Sequence, residues 1–345
     1  MRKKFDVVIG NPPYQEEAQG AGTRDTPVYH LFMDAAYEVS KKAVLITPAR
    51  FLFNAGFTPK AWNEKMLADT HLAVPHYVAN SNELFPGTDI KGGIAVTYHD
   101  EDRAVEPIGT FTKYQELNDI LHKVLESGVN SLENVGITSS RSYRYTDRLY
   151  EEHPDALALR PDGNAALVNT NTFEQFAFLY HPDRPADGHD YVQVLGLIKN
   201  KRMSRWIRGE YITGPESFGA YKVAIPAANG SGDLGEVLSS PRVVEPNVAV
   251  TQTFITVGCF DDQAKADACL AYVKTKFARA LLGVLKITQH NPAKVWRYVP
   301  LQDFTSATDI DWSKPIPDID QQLYAKYNLD ADEIAFIEAQ IKPMS

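Results

Sequence analysis

The element that most restricts how this chain can fold is Phe5-Asp6-Val7-Val8-Ile9 running into Gly10-Asn11-Pro12-Pro13-Tyr14. A short apolar run stopped by a glycine and two prolines reads as a buried parallel strand emptying into a loop. The prolines fix the backbone and remove two amide donors, so the Pro12 carbonyl can be held toward a cleft without folding back onto a neighbouring N–H. Asn11 adds an amide oxygen beside it, and Tyr14 adds an aromatic face. Two acceptors and a ring fit a planar group bearing an exocyclic amine, and the carboxyl end of a parallel strand is where open α/β sheets bind ligands.

That constellation suits methyl transfer to an aromatic amine. The amine's lone pair is delocalised into its ring, and two acceptors pull the nitrogen toward tetrahedral geometry. The lone pair then becomes available for in-line attack on a methyl sulfonium, a reaction governed by positioning and electrostatics. A base paired in duplex DNA cannot present its amine this way and has to be flipped out, at a cost of a few kcal/mol offset in part by about 1–3 kcal/mol of stacking. Asn11 and Pro12 are the expected acceptors and Tyr14 the expected stacking partner.

The first hundred residues alternate between strand and helix patterns. Ala43–Ile46, Ala73–Val78 and Gly92–Tyr98 read as strands, and the stretches from Pro27 and around Trp62 as helices, which predicts an α/β sheet. After Asp100-Glu101-Asp102 the texture changes to loops around short strands, so residues 1–110 and 111–345 are the expected domains. A single helix is predicted over Asp262–Ile287, and two short ones over Asp318–Ile341, the second started by Asp330 with Glu333. The two cysteines, Cys259 and Cys269, are expected as buried small hydrophobes, and His30 and His76 as packed core residues. No residue spacing marks a metal site. No apolar run reaches the ~18–20 residues that span a bilayer, and Asp6 stands where a secretory signal needs an apolar stretch, so a cytoplasmic protein is expected.

With 35 basic and 44 acidic residues the formal charge is -9, which disfavours capture of a polyanion by the whole surface. Nucleic acid must meet local patches. One candidate contains Lys199, Lys201, Arg202, Arg205 and Arg208. The other, Ala268–Gln302, supplies Lys286, Lys294 and Arg297 for phosphates, with Gln289 and Asn291 as candidates for base edges.

The run Phe5–Tyr14 resembles the catalytic motif of amino-methyltransferases, above all the gamma-class DNA N6-adenine enzymes of restriction-modification systems. Pro27–Phe32 and Leu45–Leu52 resemble that family's following helix and strand. Leu84-Phe85-Pro86-Gly87 resembles the region whose aromatic residue, here Phe85, closes the sandwich on the flipped base. Lys286–Asn291 and Val295–Leu301 look like the target-recognition region of the Eco57I-like branch.

The resemblance implies a partial Rossmann-like methyltransferase sheet, then a mixed α+β target-recognition domain, with S-adenosylmethionine as methyl donor and double-stranded DNA as partner. The family's glycine-rich cofactor loop has no counterpart before Phe5. Gly20-Ala21-Gly22-Thr23, the one Gly-x-Gly-like segment downstream, reads as an ordinary loop, so the cofactor-binding residues stay unassigned. With the strand that bears such a loop missing as a neighbour, the edge of the Phe5–Ile9 strand would be bare. The expectation is therefore a second polypeptide or an amino-terminal half completing the sheet, or else a rearranged domain that has lost methyl transfer. A DNA-recognition or assembly subunit with an inherited loop is the alternative, and glutamine in protein or guanine in RNA are the alternative substrates, since enzymes for those share the four-residue loop.

Overall fold

The computed structural model describes residues 3–16, 25–55, 57–90, 92–159 and 164–344. Gly20–Thr23 lies outside the described residues. The chain is mixed α/β with several sheets and separates into two compact units, Met1–Asn118 and Asp119–Ser345.

The first unit is built on β1 (Phe5–Gly10), β2 (Ser40–Pro48), β3 (Leu72–Val78) and β4 (Ile94–Asp100), arranged β1-β2-β4-β3. β1 and β2 are parallel, and β4 runs antiparallel to both of its neighbours. Helices α1 (Tyr29–Val39) and α2 (Lys60–Leu67) cover one face, where Tyr29, Met33, Phe51, Trp62 and Met66 pack on Ala43, Leu45 and Ala95. Pro75 has no amide to donate, and the register of β3 against β4 shifts around it, between Ala73 and His76. His76 is exposed there, unlike the packed residue expected, while His30 is half-buried with its ring edge-on to Trp62.

β1 is not the strand buried on both sides that its composition suggests, but it is the bare edge expected where the cofactor-bearing neighbour has no counterpart. Among the described residues it is an edge strand, and Phe5, Val7 and Ile9 are 55, 49 and 77% exposed. Strand alternation turns these three to the face opposite Val8, which packs on the core.

In the second unit, after α3 (Gln115–Glu126), which crosses the division, β5 (Tyr191–Ile198) and β6 (Lys201–Arg208) form an antiparallel hairpin. The other large sheet centres on β7 (Tyr221–Pro226), flanked by β8 (Arg242–Val244) and by a long partner, Phe254–Phe260. β9 (Val248–Val250) joins β5 in parallel, and β10 denotes Phe254–Phe260. The continuous strand expected around Val243–Val248 is broken because Asn247 takes φ 60, turning the chain from one sheet to the other. Cys269 is buried, but Cys259 is exposed on β10, just after Gly258 at φ 88.

The predicted helix over Asp262–Ile287 is two helices, α4 (Gln263–Lys274) and α5 (Lys276–Leu285). Thr275 adopts an extended conformation between them, donates to the Tyr272 carbonyl at 2.7 Å and accepts from Ala278 N at 3.1 Å, so its hydroxyl ends one helix and caps the next. The tail forms α6 (Ile316–Lys326) and α7 (Ala331–Gln340), the latter opened by a reciprocal Asp330–Glu333 capping box as the sequence predicts.

Candidate active site

Gly10 ends β1 opposite Leu45, and the four residues that follow emerge at the carboxyl end of the parallel β1–β2 pair. The loop is fixed from both sides. The Tyr14 carbonyl accepts from Val28 N at 3.1 Å and Tyr29 N at 3.4 Å, at the start of α1, so one oxygen satisfies two amides that a helix end otherwise leaves open. Beyond Tyr14, Gln15–Glu16 pairs with Thr26–Pro27, and Gln15 Nε2 donates to Asp25 Oδ2 at 2.5 Å.

The loop faces a cavity of about 560 Å³ lined by Asn11, Pro12, Pro13, Tyr14, Gln15, Asp25, Pro27, Tyr29, Pro48, Arg50, Phe57, Asp89 and Ile90. Clefts that take small ligands run to roughly 300–1,000 Å³. Asn11 is exposed, while Pro12 and Tyr14 are half-buried. The Tyr14 hydroxyl is buried without a hydrogen bond of ordinary geometry. Burial raises its pKa, and the neighbouring Asn11 side chain pulls the other way. Tyr29 at the cavity floor is pushed up to about 12, chiefly by burial. Both phenols therefore stay neutral at physiological pH. The site also offers amide and carbonyl oxygens, the Arg50 guanidinium and the Asp25 and Asp89 carboxylates, with no thiol or histidine among its described lining residues.

Asp6 lies away from this cavity, 90% exposed at its side chain with Lys41 Nζ 3.4 Å from its carboxylate. Phe85 is half-buried and is not among the described residues lining the cavity. Phe57 is, 71% exposed and held at φ 65. Nothing in its surroundings in sequence marks Phe57 as a wall of this site. Among the described residues no group of three or more His, Cys, Asp or Glu side chains could hold a metal ion, and no helix is long and apolar enough to cross a membrane.

Residues 1–85 match the Eco57I restriction-modification methylase family. An uncharacterized adenine-specific methylase of Mycoplasma pneumoniae (strain ATCC 29342 / M129 / Subtype 1) is 30% identical over 95 residues, which cover 26% of this chain and 22% of that protein. The methylase match thus falls on the unit that carries the loop. Among solved structures, the type IIG restriction endonuclease BpuSI aligns with 97% of this chain and 53% of its own at 11% identity and a TM-score of 0.34. The type IIL restriction-modification enzyme MmeI, in a structure with DNA, aligns with 97% of this chain and 56% of its own at 9% identity and a TM-score of 0.29. The chain spans about half the length of these two enzymes.

The residues expected to meet DNA divide into two groups. Lys199, Lys201, Gln289, Lys294 and Arg297 are exposed, and Arg205 is half-buried. The others have internal work. Lys286 is 7% exposed and donates to the carbonyls of Asn229 at 2.9 Å and Thr288 at 3.1 Å. Asn291 is fully buried, and its side chain donates to the Pro226 carbonyl at 2.9 Å, so it reaches no base edge. Arg208 is paired with Glu152 at 3.0 Å and the Tyr211 hydroxyl at 3.1 Å. Arg202 braces the carbonyls of Ser239 and Ser240. A run of cations shows in the sequence, but which of them turn inward depends on carbonyls supplied by distant segments.

Proposed function

We propose that this chain is the target-amine half of a restriction-modification DNA methyltransferase that modifies the N6 amine of adenine. The observation that carries this is the open cavity walled by Asn11, Pro12 and Tyr14 at the end of β1; the methylase-family match over residues 1–85 supports it. A flipped adenine would enter with its ring against Tyr14 and give its two amine hydrogens to the Asn11 amide oxygen and the Pro12 carbonyl. With both hydrogens held, the nitrogen lone pair tilts out of conjugation. The nitrogen then forms its bond to the methyl carbon as the methyl–sulfur bond breaks, and releases one proton to solvent.

S-adenosylmethionine would supply the electrophilic methyl. No glycine-rich strand and loop able to hold it is present among the described residues, so no residue here is assigned to it. Among the described residues β1 ends its sheet and leaves an apolar face uncovered, the kind of strand that pairs with another, and we assign to its edge a strand of a cofactor-binding half, either a separate polypeptide or another part of a longer chain. The same exposed edge supports a second reading, a DNA-recognition or assembly subunit whose loop is inherited and inactive.

Ligand-observed NMR tests amine capture without the cofactor. 9-Methyladenine should bind, its N6,N6-dimethyl analogue, which has no amine hydrogens, should not, and Asn11→Ala should lose the distinction. Equal binding of the two adenines by the parent would overturn the reading. Methyl-labelled S-adenosylmethionine offered with duplex DNA, RNA and protein, with a cofactor-binding half added, should label DNA alone. Label in RNA or protein, or label in DNA that survives Asn11→Ala, would refute the assignment.

A further inference from the structure

The β5–β6 hairpin reaches beyond the sheet that supports it. The two strands pair along their whole length, from Tyr191 opposite Arg208 to Ile198 opposite Lys201. β9 pairs with β5 only at Gln193, Val194 and Leu195. Beyond it Gly196 lies buried against Phe173 and Thr251, and Leu197 and Ile198 still pack on the core, so the part of the hairpin that stands clear is the turn and the strand end that follows it, Lys199–Lys201 and Met203. At the tip, Lys199 and Asn200 have φ 48 and 62, the left-handed pair of a two-residue type I′ turn. This turn is normally given to Asn-Gly or Asp-Gly; here a lysine occupies its first position.

The charge on this hairpin is one-sided in sign and two-sided in space. No carboxylate occurs from Tyr191 to Gly209. Strand alternation sends Lys201, Met203 and Arg205 to one face and Arg202, Ser204 and Trp206 to the other. Lys199 and Lys201 are exposed. The Arg202 guanidinium meets the carbonyls of Ser239 and Ser240 and the face of the Phe254 ring, all of them neutral, so no carboxylate cancels its charge. Burial first, and then repulsion from nearby Arg242, lower its pKa. Arg242 in turn borders a polar cleft of about 280 Å³ that it shares with Gln193, Ser204 and Glu245. Among the described residues none of Lys199, Lys201, Arg202, Arg205 and Arg242 is in an ion pair, in contrast to Arg208 at the root of the same hairpin.

The major groove of duplex DNA admits a two-stranded ribbon and is walled on both sides by phosphates. The geometry points to the hairpin turn Lys199–Lys201 as the element that enters that groove, with Lys199 and Lys201 leading and Arg205 and Arg242 facing the flanking phosphates. This rests on the DNA reading above and adds which surface carries it. The second basic window, with Lys294 and Arg297, lies off the hairpin and is left out of the contact.

Fluorescence anisotropy with a labelled DNA duplex, titrated with NaCl, tests it. The proteins are the parent, the double variant Lys199→Gln/Lys201→Gln, the single variant Lys201→Glu and the double variant Lys294→Gln/Arg297→Gln, each checked for an unchanged melting curve. Each lost phosphate contact should flatten the slope of log affinity against log salt by about 0.9, so the tip double variant should lose about 1.8 and bind about tenfold more weakly. Lys201→Glu should move the same way, and the Lys294/Arg297 variant should match the parent. An A-form RNA duplex, whose deep and narrow major groove excludes a ribbon, should bind more weakly than DNA. The assignment to the turn is overturned, with the DNA reading intact, if the tip variants bind as the parent does or if the loss follows Lys294 and Arg297. Equal affinity for the RNA duplex also overturns it. A parent that binds no duplex sinks both readings.

Discussion

Asp320 provides a sharp test of the energetics of the second unit. It lies on α6, is 2% exposed, and its carboxylate accepts from Lys276 N at 3.0 Å and Phe277 N at 2.9 Å at the start of α5. A helix amino terminus favours a negative charge, but burial outweighs the two amides and Arg279. With Glu338 adding repulsion, its pKa rises from 3.8 to about 6. The folded state therefore holds the Asp320 proton more tightly than the unfolded state does. The resulting stabilisation is complete below about pH 4 and is lost as pH rises through 6. At about 1.4 kcal/mol per pH unit, the interval from 3.8 to about 6 amounts to about 3 kcal/mol. Asp320→Asn cannot titrate. Urea unfolding of parent and variant at a series of pH values, with their free energies subtracted, should show the parent losing about 3 kcal/mol relative to the variant between about pH 3.5 and 7. A flat difference, or one that grows in the parent's favour with pH, would show that the amides and not burial set the balance.

Lys222 should give a slope in the alkaline range. It is fully buried, donates to the carbonyls of Ala220 and Glu245 at 3.0 and 3.1 Å, and burial lowers its pKa to about 8. Its charged form is the costly one in the folded state, so stability should rise from about pH 8 to 10.5 by about 3 kcal/mol, and Lys222→Met should abolish that rise in the same subtraction. Gly93→Ala places a methyl group 2.3 Å from the Val78 carbonyl at φ +77. Left-handed strain and overpacking together should cost about 2–5 kcal/mol in thermal denaturation, and an unchanged melting temperature would contradict the described backbone.

The loop at Asn11–Tyr14 was legible because proline and glycine act locally: they fix dihedrals and remove donors whatever surrounds them. The same holds for the Asp330–Glu333 cap, whose partners are three residues apart. What depended on distant residues was not legible. Periodicity ran unbroken through Thr275, and the break there needs Asp320, more than forty residues away in sequence, to receive the Lys276 and Phe277 amides. Lys286 and Asn291 looked like part of a solvated basic face until Asn229 and Pro226 supplied their acceptors. β1 read as buried from its composition, but composition records what a strand can bury and not what lies beside it. Phe57 escaped because its place at the cavity wall comes from a left-handed loop conformation that its residue type does not favour.

The Tyr14 carbonyl, shared by the first amides of α1, makes the loop and the helix a single mechanical part. Swinging the loop aside would strip the helix of its end group, so the receptor arrives stiff and its guest must be the partner that rearranges. If the guest is the stacked base of a double helix, as proposed, the whole of the motion falls to the nucleic acid. Discrimination would then fall at the moment of extrusion, where a weakly paired or already distorted site has an advantage before any contact with Asn11 is made.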